Sequence, residues 1–282
     1  MLQDPAWSSY LAARATALSC FGPGNAATSI GRAAARLQAY LGMGQEQAQG
    51  HARRCFLHGG DQAFHDQLLA SGSPRLLRVI VERTSVNDFP AAQARTRGAL
   101  AVTLHYGLAT SILPLWLAMA GRRGMIPEFA VIQNSHRNPD VMLSAERNAE
   151  LADCGFPFAD LDIARLGEVA ALRHALAILD RGGIVLIFGD GQLPQAGAKR
   201  ALTCRLGRGS LALPQGAEWL ARTADVPLLP LLLRPQGDGN RMVSLDMCAP
   251  GQAQRALQAL LDAAVDFDPA PWSRWCCTAD HF

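Results

Sequence analysis

His105 closes a short apolar run, Ala99 to Leu104, and passes directly into Tyr106-Gly107-Leu108-Ala109-Thr110 and an apolar helix. An imidazole at a strand-to-helix junction can be held by backbone hydrogen bonds while one ring nitrogen faces a pocket. Its ordinary pKa of roughly 6.5 suits proton abstraction near neutrality. The same position also suits a half-buried histidine that caps the helix. Downstream, Asp190 follows a second apolar run, Ile184 to Phe188, and sits between two glycines. It either faces the pocket of His105 or is a turn residue binding local backbone N–H groups. Arg208, between Gly207 and Gly209, either grips a phosphate group with its planar fork or lies solvated at the surface.

Other chemistries are weaker. His51, Cys55, His58 and His65 fall at intervals of four, three and seven, which could line one helical face. Seven helical residues span roughly 10 Å, too far for His58 and His65 to share an ion, and Gly59-Gly60 is expected to break the helix between them; no metal site is expected. Lys199 is the single lysine and no Gly-x-x-x-x-Gly-Lys surrounds it, so a P-loop is excluded. No Gly-x-Ser-x-Gly elbow is present, and Gly22-Pro23-Gly24 follows no strand. The seven cysteines lack any Cys-x-x-Cys spacing, which argues against a disulfide framework and for a reducing cytoplasm. Cys154 and Cys204 read as buried hydrophobes more readily than as nucleophiles.

Positioning these groups requires a sheet. With 282 residues, 49% of them hydrophobic, the chain is long enough for one large domain. Residues 1–70 read as a helical N-terminal segment and residues 71–282 as an α/β domain, together one structural unit. Strands are expected at Leu76–Val81, Ala99–Leu104, Phe129–Gln133, Ile184–Phe188, Leu228–Leu233 and Met242–Leu245. Helices are expected at Leu108–Ala120, Asp140–Cys154, Gly167–Asp180, Leu213–Ala224 and Gln252–Val265. This alternation predicts an α/β fold with a central mixed, mostly parallel sheet flanked by helices. The helix around Ile112–Ala120 reads as core, and the tail from Asp266 as a packed terminal segment. A net charge of +2 gives no electrostatic footprint for nucleic acid. No run reaches the ~18 apolar residues of a spanning helix, so the expected location is cytoplasmic, with membrane contact at most peripheral to the inner membrane.

Four segments together resemble the bacterial lipid A biosynthesis acyltransferases, a branch of the lysophospholipid acyltransferase-like superfamily. Thr103 to Thr110 resembles the His-x-Gly-Asn-Trp-Glu signature of that family, with His105 and Gly107 matching. Arg137-Asn138-Pro139 resembles its basic-Asn-Pro turn, and Gly182 to Gln192 its strand ending in Asp-Gln. Leu206-Gly207-Arg208, Gly216-Ala217, Leu220-Ala221 and Pro227-Leu228-Leu229-Pro230 resemble its Phe-Gly-Arg block and the elements after it. Pro271-Trp272 matches a late Pro-x-x-Trp-like feature, so the likeness covers about residues 45 to 275.

The resemblance implies transfer of an acyl group from a thioester to an amine or hydroxyl. The co-substrate would be acyl- or peptidyl-carrier-protein phosphopantetheine or CoA, with no bound cofactor. The acceptor would be a small molecule, such as a specialised-metabolite intermediate, or a lipid at a membrane surface; a silent relative that binds acyl chains or carrier proteins is the remaining alternative. It makes His105 the general base, with Tyr106, Gly107, Asn134, Arg137, Gly207 and Arg208 at the substrate. The pattern is broken where Thr110 occupies the position of the motif acid, Leu108-Ala109 replace Asn-Trp, and Asn134 stands where an arginine is usual. A hydroxyl at Thr110 can accept a hydrogen bond from the imidazole but supplies no negative charge. A substitute carboxylate is therefore expected from Asp190, Glu82 or Asp88.

Overall fold

The structure, a computed structural model, describes residues 5–20, 26–87, 89, 98–133, 145–157, 159–191 and 201–276. Four helices lead: α1 (Pro5–Cys20), α2 (Ala26–Leu41), α3 (Gln45–Ser71) and α4 (Pro74–Glu82). The alternating part follows as β1 (Thr84–Asn87), β2 (Ala99–Thr103), α5 (Ala109–Arg122), β3 (Phe129–Gln133), α6 (Ala145–Asp153), β4 (Ala159–Asp162), α7 (Ile163–Leu166), α8 (Glu168–Asp180) and β5 (Ile184–Phe188). A hairpin of β6 (Ala201–Leu206) and β7 (Gly209–Pro214) precedes α9 (Gly216–Ala224), β8 (Leu228–Gln236), β9 (Gly239–Ser244), α10 (Ala253–Phe267) and a 3-10 turn at Ser273–Cys276.

The fold is α/β. Seven strands form one sheet in the order β1-β9-β8-β2-β5-β3-β4, parallel at every seam except β8 against β9. Because successive residues of a strand face opposite sides, Leu100 and Val102 of β2 join a core with α8, α9 and α10, while Ala99 and Ala101 join a second core with α4 and α5. Burial on both faces is what the unbroken apolar strands require. In α5 every residue from Ser111 to Ala120 is buried, so this helix is core.

Some expectations are corrected. Leu76–Val81 is not a strand but part of α4: Pro74 pre-sets the first helical turn, and Leu77, Ile80 and Val81 share the buried helical face. Gly59-Gly60 does not break α3, which runs unbroken from Gln45 to Ser71. Each glycine costs a helix only about 1 kcal/mol, and contacts along a buried face that includes Gly60, Asp61 and His65 outweigh that. The helix expected from Leu213 begins at Gly216, because Leu213 pairs with Leu202 in the hairpin. Residues 140–144 of the helix expected at Asp140–Cys154 lie outside the described residues.

Two of the leading helices, α1 and α3, are tied to each other by polar contacts. Arg14 of α1 grips Asp61 of α3 with two guanidinium nitrogens. His65 donates from Nδ1 to the Asp61 carbonyl at 2.7 Å and accepts at Nε2 from the Tyr10 hydroxyl at 2.7 Å. Burial alone would raise the Asp61 carboxyl, but hydrogen bonds from His65 and Arg14 outweigh it and hold the group at about 2, below its ordinary 3.8. A depressed folded-state value means a contribution fully present above the unfolded value and lost as pH falls. We predict that Asp61→Asn destabilises the protein by about 2 kcal/mol near neutrality, discounted because Arg14 is partly exposed. Thermal melts of variant and wild type should converge as pH is lowered from 4 towards 2.

Candidate active site

The register of two parallel strands brings the first two site groups together. Thr103 of β2 is paired with Phe188 of β5, so His105 and Asp190, each two residues further on, emerge side by side at the carboxyl edge of the sheet, the edge where open α/β sheets bind ligands. The ladder continues one step past the strands, with Gly189 N–H donating to the Thr103 carbonyl at 2.8 Å. Asp190 then receives the backbone N–H of His105 on both carboxylate oxygens, at 3.0 and 3.1 Å, and the ring Nδ1 at 2.7 Å.

A third element closes the site. After α10 the chain forms a strap, residues 268–276, stitched antiparallel to the His105 loop. Gly107 N–H donates to the Pro271 carbonyl at 2.9 Å, and Ser273 N–H to the His105 carbonyl at 3.0 Å. Trp272, fully buried, donates its indole N–H to Asp190 Oδ2 at 2.7 Å, and the Arg274 guanidinium lies 3.6 Å from the same oxygen. Asp190 has no exposed surface, and these donors make its burial tolerable. Burial alone would raise its carboxyl; interaction with His105, the Arg274 charge and the Trp272 hydrogen bond outweigh it and keep Asp190 ionised, well below the ordinary 3.8.

A nitrogen of Arg274 also lies 2.9 Å from His105 Nδ1. If Nδ1 were unprotonated, its lone pair would oppose a carboxylate oxygen at 2.7 Å, so Nδ1–H donating to Asp190 is the tautomer assigned here. Arg274 is then a charge beside the ring, not its hydrogen-bond donor. Burial, helped by Arg274 and opposed by Asp190, lowers the His105 pKa from 6.5, so the ring is neutral near neutrality. The Phe188 ring packs against it at a tilt of 38°, 4.6 Å between centroids. Among the described residues no hydrogen bond reaches Nε2, and the side chain retains 23% of its exposure. The result is an oriented, neutral base with its lone pair directed away from its anchors.

The other expected residues are placed as follows. Thr110 does not meet His105 in any hydrogen bond of the described residues; its hydroxyl accepts from Gln62 and donates to Asp66 of α3 at 3.3 Å. Tyr106 is fully buried and donates to the Asp268 carbonyl at 2.7 Å. Gly107 has φ +57, and a Cβ there would stand 3.0 Å from the Leu233 carbonyl. Gly207 and Arg208 form the β6–β7 turn, where Arg208 N–H donates to the Tyr40 carbonyl at 2.7 Å and the guanidinium lies against Gly42. That turn packs on the end of α2. Asn134 and Arg137 lie outside the described residues, as does Asp88. Glu82 is exposed and pairs with Arg123. Cys204 is buried, which pushes its thiol up to about 11, unsuited to a nucleophile. Trp272 and Arg274 were not singled out as site residues; their only sequence signal is the Pro271-Trp272 pair.

No family model and no curated protein matches this sequence. Chemically, Asp190 and His105 form a carboxylate–imidazole pair whose second nitrogen can take a proton, with the pair stabilising the imidazolium that results. Because Arg274 works against that imidazolium, we predict that Arg274→Gln raises the His105 pKa relative to wild type. Titration of the ring nitrogens by NMR checks this, and an unchanged or lowered value contradicts the placement of Arg274.

Proposed function

We propose that the chain is an acyltransferase that moves an acyl group from a thioester to an amine or hydroxyl acceptor. The donor is an acyl or peptidyl carrier protein, through its phosphopantetheine arm, or CoA, and no resident cofactor is needed. The observation that carries the reading is the 2.7 Å contact of Asp190 with His105 Nδ1, which leaves Nε2 as a base. In this scheme Nε2 removes the acceptor proton as the acceptor attacks the thioester carbonyl. The imidazolium, paired with Asp190, then delivers that proton to the departing thiolate. Asp190 acts through His105 and is a positioning residue.

This reading accounts for the missing acid at Thr110. The resemblance to lipid A acyltransferases puts a carboxylate one helical turn after the histidine; in this chain a buried carboxylate from the neighbouring strand is at hydrogen-bonding distance instead. Among the described residues no helix is long and apolar enough to cross a membrane. The proposed setting is the cytoplasm or the inner membrane surface, with a small-molecule or lipid acceptor.

Intact-mass spectrometry of acyl-loaded carrier protein or acyl-CoA, incubated with a panel of amines and alcohols, tests the proposal. Wild type should transfer the acyl mass to an acceptor, and His105→Ala should lose at least ~10³-fold of that rate. Asp190→Asn should lose about 10²- to 10⁴-fold, because the wrong tautomer and an uncompensated imidazolium both penalise the step. The wild-type rate should rise with pH and level off with a midpoint below 6.5, since the neutral ring is the active form. No transfer across the panel, or transfer that survives His105→Ala, overturns it.

A further inference from the structure

The strap that completes the site is also joined to α3 by sulfur. Cys55 of α3 and Cys276 at the end of the strap approach to 2.9 Å between Sγ atoms. Two sulfurs in ordinary contact stand roughly 3.6 Å apart and a disulfide bond is about 2.05 Å long, so the thiols are held closer than packing alone requires. Their backbones are fixed independently of each other. Cys55 is 2% exposed in the middle of a long helix. Cys276 ends a turn whose carbonyls are gripped by α2: Arg36 donates to Arg274 and Trp275, and Arg32 to Cys276 itself.

We propose that Cys55 and Cys276 are a redox-sensitive dithiol, oxidised by hydrogen peroxide or a related hydroperoxide to a disulfide that locks the strap onto α3. Cys276 is the less buried member and the one that attacks the oxidant. Its thiol is lowered by the hydrogen bond from Cys55 and by Arg36 and Arg32, against the opposing effect of burial, so its thiolate is the better nucleophile. The Cys276 thiolate attacks a peroxide oxygen, the O–O bond breaks, and the departing hydroxide takes a proton to become water, leaving a sulfenic acid. The Cys55 sulfur then attacks that sulfenic sulfur, an S–S bond forms, and the hydroxyl departs with the Cys55 proton as a second water. Two thiol hydrogens and one peroxide give one disulfide and two waters.

The bond would close a loop of 221 residues, the kind of long loop for which a crosslink restrains the unfolded chain most. The assignment is independent of the reaction catalysed. It makes the strap, and with it Trp272 and Arg274, reversibly fixed by an oxidant. A pair of this kind in a chain otherwise poor in disulfide spacing fits a transient, sensing role rather than a permanent one.

The full chain is reduced, treated with a modest excess of hydrogen peroxide, alkylated and mapped by mass spectrometry of proteolytic peptides without reductant. The expected result is a crosslinked peptide containing Cys55 and Cys276, smaller than the sum of its parts by two hydrogens, and restored to two alkylatable thiols by dithiothreitol. Wild type in the oxidised form should melt about 10 °C above the reduced form. Cys277→Ser should retain the crosslink, and Cys55→Ser should lose it. A link from Cys276 to Cys277 or to another cysteine, oxidation of Cys276 to sulfinic acid with no crosslink, or identical melting of the two wild-type forms overturns the proposal. The mapping and melting of wild type decide the matter even where a variant fails to fold.

Discussion

A carboxylate with no exposed surface is the constraint around which this molecule is arranged. Asp190 is ionised where no water reaches it, and an uncompensated buried charge would cost several kcal/mol. The compensation comes from two separate parts of the chain: the His105 backbone and ring at the end of β2, and the Trp272 indole and Arg274 guanidinium of the terminal strap. Each of these is itself fixed by something further out. The ring packs against Phe188, the strap is zipped to the His105 loop, and the strap's far end is held by Arg32 and Arg36 of α2. One buried charge therefore couples the sheet edge, the terminal strap and the leading helices.

The same arrangement decides what the imidazole can do. Burial reduces its basicity most, Asp190 opposes that, and Arg274 adds to the reduction. The balance leaves a neutral ring that can gain a proton during a reaction without holding one beforehand. A histidine paired with a carboxylate alone would tend to be protonated earlier. The guanidinium beside it is thus part of what keeps the base available.

The central strands were legible because Ala99–Thr103 and Ile184–Phe188 are continuous apolar runs of strand length, a pattern that burial on both faces imposes. Leu76–Val81 shows the limit of that signal, since a run of six residues is too short for its period to separate a strand from a buried helix turn. β4 went unseen because two of its four residues are aspartates: Asp162 caps the next helix through the Ala164 N–H, and Asp160 accepts from Gln133. His105 and Asp190 could be picked out individually, but their pairing rests on the β2–β5 register, a fact of tertiary structure. Trp272 and Arg274 were further from reach, because nothing local in Asp268–Cys276 states which strand end it will cover.

The strap has a consequence for the order in which this protein matures. Trp272 lies 82 residues beyond the carboxylate it serves. While the ribosome is still delivering β8, β9 and α10, the sheet edge already carries His105 and Asp190 but lacks the indole and the guanidinium that make a dry carboxylate affordable. Until the strap arrives, water has to remain at that edge, and the imidazole stands in an environment unlike its final one. The dry site is therefore completed only once the strap, which follows α10, has been made and has folded back onto the sheet edge.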